Sequence, residues 1–253
     1  MPPSFVDTHI HLEEVPDWPA AVDEAVQAGV TGLIAMGTDL STSRGAIAMA
    51  EQHPAVWAAV GHHPMNQAPP DLPALRELTR HPRVVAIGEV GLDHSTDEHV
   101  GPHEAQEAWF RTLIALALDT RMPVCVHIRD SAADVLRVLS EQPGLTGVIH
   151  YWSLSADFAR RFLDLGFHIS FAGTVTRSSK EQVREVARLV PADRLLLETD
   201  APWGTPRGRS GPMRPAWMID TAQAVAEIRG LTLDQLAEIE KANVSSLFPR
   251  LSR

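Results

Sequence analysis

Several features that would point to other protein classes are scarce or missing in this sequence of 253 residues. A single cysteine, Cys125, rules out a disulfide within the chain, which is typical of proteins in a reducing cytoplasm. The apolar runs stay well short of the roughly 18 residues of a membrane span. We expect no signal peptide, because the first apolar run already begins at Phe5. The sequence therefore predicts a cytoplasmic protein without a membrane segment.

Positive charge is also scarce. The formal net charge is −10, and the only lysines are Lys180 and Lys241. An acidic surface does not favour general nucleic-acid binding, so any such contact must be local to the functional site and a few arginines. The sequence contains no linker, low-complexity tract or short repeat. We therefore expect residues 1–253 to form one domain, with no obligate protein partner evident.

What the sequence does contain is a regular alternation of short apolar runs and longer helical patterns. The strand-like runs are 5–6, 32–36, 55–60, 84–90, 123–126, 147–149, 167–171 and 195–197. Helical spacing of apolar residues is found in 19–27, 44–52, 105–119, 132–140, 156–165 and 180–189, and then in 216–228 and 232–248. Gly230 would end the first of the last two helices, and Thr232 or Asp234 could cap the second. Eight strands alternating with helices predict a parallel (β/α)8 TIM barrel.

Histidines and carboxylates recur where the predicted strands end. His9 and His11 form an H-x-H pair whose side chains point to the same side of a strand. Later strand ends supply further potential metal ligands, namely Glu89, His127, His150 and Asp200. Because barrel strands end around one mouth, we expect all six side chains to meet there, although any one of them alone could be an ordinary core or surface residue. The set predicts a hydrolase with a metal site.

Four histidines and two carboxylates exceed the needs of one four-coordinate zinc, which indicates two divalent ions bridged by a carboxylate. Neither lysine lies at a strand end, so a lysine-derived bridge is excluded and Glu89 is the best bridging candidate. We assign one ion to His9, His11, Glu89 and Asp200, and the other to Glu89, His127 and His150. Zinc, magnesium and manganese all remain open as the metal. Glu89 and Asp200 are the candidate catalytic residues, with Asp200 accepting the proton of the attacking water.

Three further residues are candidates for supporting roles. Asp93 follows Glu89 by four positions and could orient a ligand histidine, or it could simply be a turn aspartate. Arg129 offers a guanidinium fork for a phosphate, unless it forms an ordinary ion pair with Asp130 or Asp134. Trp203 could stack on a base or anchor its loop, and Trp152 presents the same two alternatives.

The long loop after the last predicted strand carries several arginines in an otherwise acidic chain. They are Arg207, Arg209 and Arg214. We expect this loop to overhang the metals and to hold a nucleic-acid backbone, the alternative being a solvated loop with no partner.

Five strings in the sequence resemble the signatures of the TatD family of metal-dependent deoxyribonucleases, which belongs to the amidohydrolase-like barrels. They are FVDTHIHL, GEVGLD, PVCVHIRD, GVIHYW and LLLETDAPW. The resemblance implies a (β/α)8 fold, divalent metals and hydrolysis of phosphodiesters, often from the 3′ end of single-stranded DNA. It also implies that His63, in a G-x-H-P element, contacts phosphate or substrate. We therefore expect a 3′–5′ exonuclease on DNA whose affinity is weak and sensitive to salt.

The sequence departs from the family pattern at three places. Tyr151-Trp152 replaces the usual Cys-Phe, His94 stands where tyrosine is common, and Met213-Arg214-Pro215 replaces Asn-Glu-Pro. None of these changes removes a ligand, but all three could alter the substrate rim. Two alternatives therefore stay open: a binuclear hydrolase of a small amide, lactone or phosphoester, and a non-catalytic metal-binding protein.

Overall fold

The computed structural model describes residues 3–96 and 100–252. Within these residues eight parallel strands form one sheet, and each strand pairs with the next in chain order. The strands are β1 (Phe5–Ile10), β2 (Val30–Ala35), β3 (Val56–Val60), β4 (Val84–Asp93), β5 (Val124–Arg129), β6 (Gly147–Ile149), β7 (His168–Phe171) and β8 (Leu195–Leu197). The order and direction of the strands are those of a barrel built from βαβ units.

A helix follows each of the first seven strands, and two helices follow the eighth. They are α1 (Trp18–Ala28), α2 (Leu40–Gln52), α3 (Leu72–Leu78), α4 (His103–Thr120), α5 (Ala132–Ser140), α6 (Ala156–Asp164), α7 (Glu181–Leu189), α8 (Met218–Arg229) and α9 (Leu233–Leu247). The predicted (β/α)8 TIM barrel is confirmed. Over the described ranges, no helix combines the length and the apolar character needed to cross a membrane.

Polar side chains and loop backbone join the last strand to the first. The hydroxyl of Thr8 donates to the carbonyl of Leu197 at 2.9 Å, and the N–H of Asp200 donates to the carbonyl of His9 at 2.9 Å. The carboxylate of Asp7 accepts from the backbone N–H of Thr199 at 2.8 Å and also from its hydroxyl. This seam fixes β1 against the segment after β8, so that His9 and Asp200 lie side by side.

Two apolar clusters form the core. The inner cluster fills the barrel with side chains such as Met36, Cys125 and Leu196, and Phe248 at the end of α9 packs against them. The larger outer cluster lies between the strands and the surrounding helices. Cys125 is fully buried, and its burial raises the pKa of the thiol.

Two of the differences between the predicted and the observed elements have identifiable reasons. β1 extends to Ile10, whereas the apolar run in the sequence ends after two residues. The prediction is too short because Asp7, Thr8 and His9 are polar, although all three are buried in the strand. Helix α3 has no counterpart in the prediction, since its seven residues are too short to show helical periodicity. At α9 the cap is Thr232, whose hydroxyl accepts from the N–H of Gln235.

Candidate metal centre

The six predicted ligands lie together at the carboxyl ends of their strands, around the side chain of Glu89. This side chain is 2% exposed and comes from β4, the longest strand, which is buried along its whole length. Its two carboxylate oxygens face different groups of imidazoles. The geometry therefore separates the site into two halves that share one carboxylate.

The first half lies at Oε2 of Glu89. This atom is 3.4 Å from Nε2 of His9 and 3.3 Å from Nε2 of His11. Oδ1 of Asp200 lies 3.6 Å and 3.5 Å from the same two nitrogens. His9, His11 and Glu89 thus form a group of potential ligand atoms within 4.8 Å of one another, with Asp200 beside it. These four residues are the set assigned to the first ion from the sequence.

The second half lies at Oε1 of Glu89. This atom is 2.8 Å from Nδ1 of His127 and 2.9 Å from Nε2 of His150. Nε2 of His63 is also near, at 3.4 Å, although the resemblance implied a substrate contact for this residue. His63 is 7% exposed and forms a potential ligand group with Glu89 and His127. The second half therefore contains the predicted pair of histidines and one additional imidazole.

Burial and charge act in opposite directions on the ionisable groups of the site. Burial alone would raise the pKa of Glu89, but the neighbouring imidazoles of His63, His150 and His9 outweigh it and lower the pKa well below its usual range. Burial alone would lower the pKa of His11 and His150, yet the adjacent carboxylates raise both well above the ordinary value. The carboxylate of Glu89 thus favours positive charge around it.

Polar atoms without partners show that the site fits a cation. Among the described residues, no hydrogen bond reaches the buried atoms Nδ1 and Nε2 of His9, Oε2 of Glu89 or Oδ1 of Asp200. Leaving such atoms unsatisfied costs about 1–3 kcal/mol each, and Nε2 of His9 lies 3.4 Å from Oε2 of Glu89 and 3.6 Å from Oδ1 of Asp200, so one cation could contact all three. Imidazole and carboxylate ligands suit zinc, manganese and related divalent ions. The residues present therefore fit the metals expected from the sequence.

Asp93 lies behind His127, as expected for an orienting carboxylate. Its Oδ2 is 3.2 Å from Nε2 of His127, whose other ring nitrogen faces Glu89. The side chain of Gln106 on α4 fixes the backbone of Asp93 by accepting from its N–H and donating to its carbonyl, at 2.8 and 2.9 Å. Burial alone would raise the pKa of Asp93, but the hydrogen bonds from His127 and Ser95 together outweigh burial and lower the pKa below its usual range. Asp93 is therefore charged and able to hold the imidazole in one orientation.

Glu198 is a functional candidate that the sequence analysis missed. It is fully buried directly after β8, and its Oε1 accepts from the backbone N–H of Tyr151 at 2.6 Å. The same oxygen lies 3.4 Å from Nδ1 of His150, on the ring edge opposite Glu89. Glu198 also forms a potential ligand group with His9 and His150. The available signal was its position two residues before Asp200, at the end of an apolar strand.

A cavity of about 660 Å³ opens above the site. Its wall includes the candidate metal residues other than His9, together with Arg129, Trp203 and Asn66. Arg129 is exposed, and its nearest acidic contact is Oδ2 of Asp93 at 4.0 Å, rather than Asp130 or Asp134. Trp203 is 56% exposed at the rim, whereas Trp152 is 1% exposed and packs against Phe162 in the core. Of the two tryptophans, only Trp203 is placed to meet a ligand in this cavity.

The arginines of the long loop do not meet the expectation that they overhang the metals. Arg209 forms a two-pronged ion pair with Asp220 on α8, and Arg214 pairs with Glu24 on α1. Within the described part of the chain, neither they nor Arg207 line the cavity above the metal site. The loop reaches the site through Trp203, while acidic residues on the outer helices hold Arg209 and Arg214.

The three departures from the family pattern lie at different distances from the site. Tyr151 is half-buried beside it, and burial raises the pKa of its phenol to about 12. His94 faces Asp134, with Nδ1 and Oδ2 3.7 Å apart, away from the candidate ligands. Met213 is buried, and its N–H donates to the carbonyl of Pro202. Of the three changes, the one at Tyr151 lies nearest the reacting centre.

Comparisons with known proteins agree with this geometry. The family model described as TatD related DNase matches residues 6–249. The chain is 34% identical to the uncharacterized metal-dependent hydrolase YabD of Bacillus subtilis, in an alignment that covers 96% of this chain and 98% of YabD. It is 35% identical to the 3′-5′ ssDNA/RNA exonuclease TatD of Rahnella, in an alignment that covers 92% of each chain. The crystal structure of YjjV, a TatD homologue of Escherichia coli, superposes with a TM-score of 0.90 at 33% identity, covering 97% and 98% of the two chains.

Proposed function

Because the chain belongs to the TatD related DNase family, we propose that it is a 3′–5′ exonuclease that shortens single-stranded DNA. The coarser assignment, a metal-dependent hydrolase that acts on phosphodiester bonds, is shown by the family and its relatives. The observation that carries the finer proposal is the division of imidazoles between the two oxygens of Glu89, on the floor of an open cavity. That arrangement suits two cations acting on one phosphate.

In this proposal His9, His11, Glu89 and Asp200 hold one ion, and Glu89, His127 and His150 hold the other. Zinc, magnesium and manganese remain the candidate metals. Bound divalent ions would neutralise charge on the phosphate and make a water molecule acidic enough to supply hydroxide near neutral pH. Asp93 keeps the ring of His127 oriented toward Glu89, since a hydrogen-bonded carboxylate fixes the tautomer of a histidine.

Side chains that line the cavity accept the proton of the water and bind the substrate. Asp200 takes up the proton of the attacking water, because its Oδ1 is buried and accepts no hydrogen bond from any described residue. Arg129, at the wall, binds phosphate oxygens through its guanidinium. His63, in the second half of the site, contacts the substrate phosphate, and Trp203 at the rim offers its face to a base.

The acidic surface limits how tightly the strand can be held. A net charge of −10 repels a polyanion at long range, and only local contacts offset that repulsion. We therefore expect weak binding that falls steeply with salt. Three accompanying expectations stay predictions: that residues 1–253 form one domain, that the protein is cytoplasmic, and that it needs no protein partner.

The test is product mapping with the metal-loaded enzyme. Single- and double-stranded oligonucleotides labelled at the 5′ end would be incubated beside a panel of small phosphodiesters, amides and lactones. Stepwise shortening of the single strand from its 3′ end, abolished by EDTA and by Asp200→Asn, would support the proposal. Turnover of a small ester or lactone, with every oligonucleotide left intact, would overturn it in favour of a small-molecule hydrolase.

A further inference from the structure

A second groove adjoins the cavity of the metal centre, and nothing in the account so far uses it. Its volume is about 820 Å³, and its wall includes Tyr151, Arg177, Lys180 and Gly204. Trp203 lines both the groove and the metal cavity, so the two spaces meet at this exposed indole. We propose that the groove binds the nucleotides on the 5′ side of the scissile phosphate of a single-stranded nucleic acid.

The charge of the groove favours a polyanion. Arg177 and Lys180 are exposed, and among the described residues neither of them pairs with a carboxylate. Arg209 and Arg214, by contrast, are both neutralised by acidic partners. One carboxylate, Glu14, lies where the groove meets the metal cavity. Two unpaired cations against one acidic residue form a local positive region on an acidic protein.

The two cations belong to one turn that is tied to the loop carrying Trp203. The N–H of Lys180 donates to the carbonyl of Arg177 at 3.0 Å, so both residues belong to one turn before α7. The guanidinium of Arg177 also donates to the carbonyl of Thr205 at 2.8 Å, which ties this turn to the loop that carries Trp203. Lys180 is the N-cap of α7 with no capping bond from its side chain, and a cation is unfavourable at that end of a helix. Helix stability therefore does not explain a lysine there.

The chemical groups that line the groove suit a nucleotide chain. Trp203 provides a flat apolar face at the rim of the metal cavity, where a base can stack. The groove is also lined by Tyr151, whose phenol is a hydrogen-bond donor, and by the two cations, which suit phosphates. The direction of the nucleic acid rests on the proposed function. If the 3′-terminal nucleotide lies in the metal cavity, the nucleotides on its 5′ side pass over Trp203 into the groove.

The experiment measures binding separately from cleavage. Fluorescence anisotropy would follow metal-loaded protein binding to labelled phosphorothioate strands of two and twelve nucleotides at several salt concentrations. The variant is Lys180→Ala, with Lys180→Arg as the conservative replacement. Lys241→Ala is the matched control, because Lys241 is the chain's other lysine and is exposed on α9.

We expect Lys180→Ala to weaken binding of the twelve-nucleotide strand roughly two- to fivefold, the effect of an exposed charge pair, and to leave the dinucleotide unaffected. The slope of log affinity against log salt should fall in magnitude by about 0.7, the value for one phosphate contact on a single strand. Lys180→Arg should restore most of the loss, and Lys241→Ala should behave like the wild type.

Three results would overturn the groove assignment: an unchanged salt slope in Lys180→Ala, an equal loss in Lys241→Ala, or no binding of the long strand by the wild type. Failure of the proposed function looks different. If an unmodified strand is bound in a Lys180-dependent way but never shortened, the groove assignment is supported and the exonuclease assignment fails.

Discussion

Removing the carboxylate of Glu198 should weaken metal binding, because this carboxylate contacts His150 on the edge of the ring that faces away from Glu89. Oε1 of Glu198 accepts from the N–H of Tyr151 and lies 3.4 Å from Nδ1 of His150, and all three groups lie beneath the mouth of the barrel. Glu198→Gln keeps an oxygen for the N–H of Tyr151 but removes the charge that orients His150. Such outer partners of a metal-bound histidine contribute about 10–100-fold to metal affinity or activity. We therefore expect at least a tenfold weaker affinity at the half that contains His150, which is about 1.4 kcal/mol.

Glu198→Ala should also reduce stability. It leaves the buried N–H of Tyr151 and the ring nitrogen of His150 without their acceptor. Each buried polar group left unsatisfied costs about 1–3 kcal/mol, so the loss in the free energy of unfolding should exceed that of Glu198→Gln.

The assay pairs a metal titration against a competing chelator with denaturant unfolding of the same samples. Wild-type metal affinity in Glu198→Gln, together with an unchanged unfolding free energy in Glu198→Ala, would refute the orienting role. A different failure is complete loss of one ion in Glu198→Gln at every metal concentration. That result would make Glu198 a ligand in its own right, as its grouping with His9 and His150 allows.

Three further predictions test the surroundings of the site. Asp93→Asn should lower activity about 10–100-fold, because His127 loses its charged partner. The circular dichroism spectrum should stay unchanged, and near-normal metal affinity and turnover would contradict this prediction. Burial raises the pKa of Glu240 well above its ordinary value of 4.5. The unfolded chain therefore loses this proton at a lower pH than the folded protein does, so the free energy of unfolding falls as the pH rises above 4.5. Glu240→Gln should thus raise the melting temperature at pH 7 but not at pH 4, and an equal change at both would contradict the assignment. Arg209→Ala and Arg214→Ala should leave oligonucleotide affinity within about twofold and the melting temperature nearly unchanged, because both side chains form exposed ion pairs. A larger loss of affinity would show that the loop binds the strand after all.

The barrel could be predicted because its signal repeats along the whole chain. Eight apolar runs with helical patterns between them allow few other arrangements, and the strand ends then place distant residues at one mouth. That argument predicts that His9 and Asp200 are neighbours, although they are nearly 200 positions apart in the sequence. The hydrogen bonds between β1 and the segment after β8 are the physical reason.

Other features depend on contacts that no periodicity records. Asp7 is a buried carboxylate that accepts two hydrogen bonds from Thr199 across the seam, and the buried Glu198 accepts one from the N–H of Tyr151 after β6. The loop arginines looked like phosphate ligands because the sequence does not show that Asp220 and Glu24 are close to two of them. Pairing between outer helices and a long loop is set by tertiary packing, so side-chain direction on such a loop could not be predicted.

The central claim is that Glu89 joins two cations, and metal stoichiometry tests it most directly. Protein purified without chelator would be analysed for bound metal beside Glu89→Gln, with circular dichroism as the control for folding. We predict two divalent ions per wild-type chain, and loss of at least one ion together with most activity in the folded variant, because both halves of the site depend on this carboxylate. Full metal occupancy and near-normal turnover in Glu89→Gln would contradict the account.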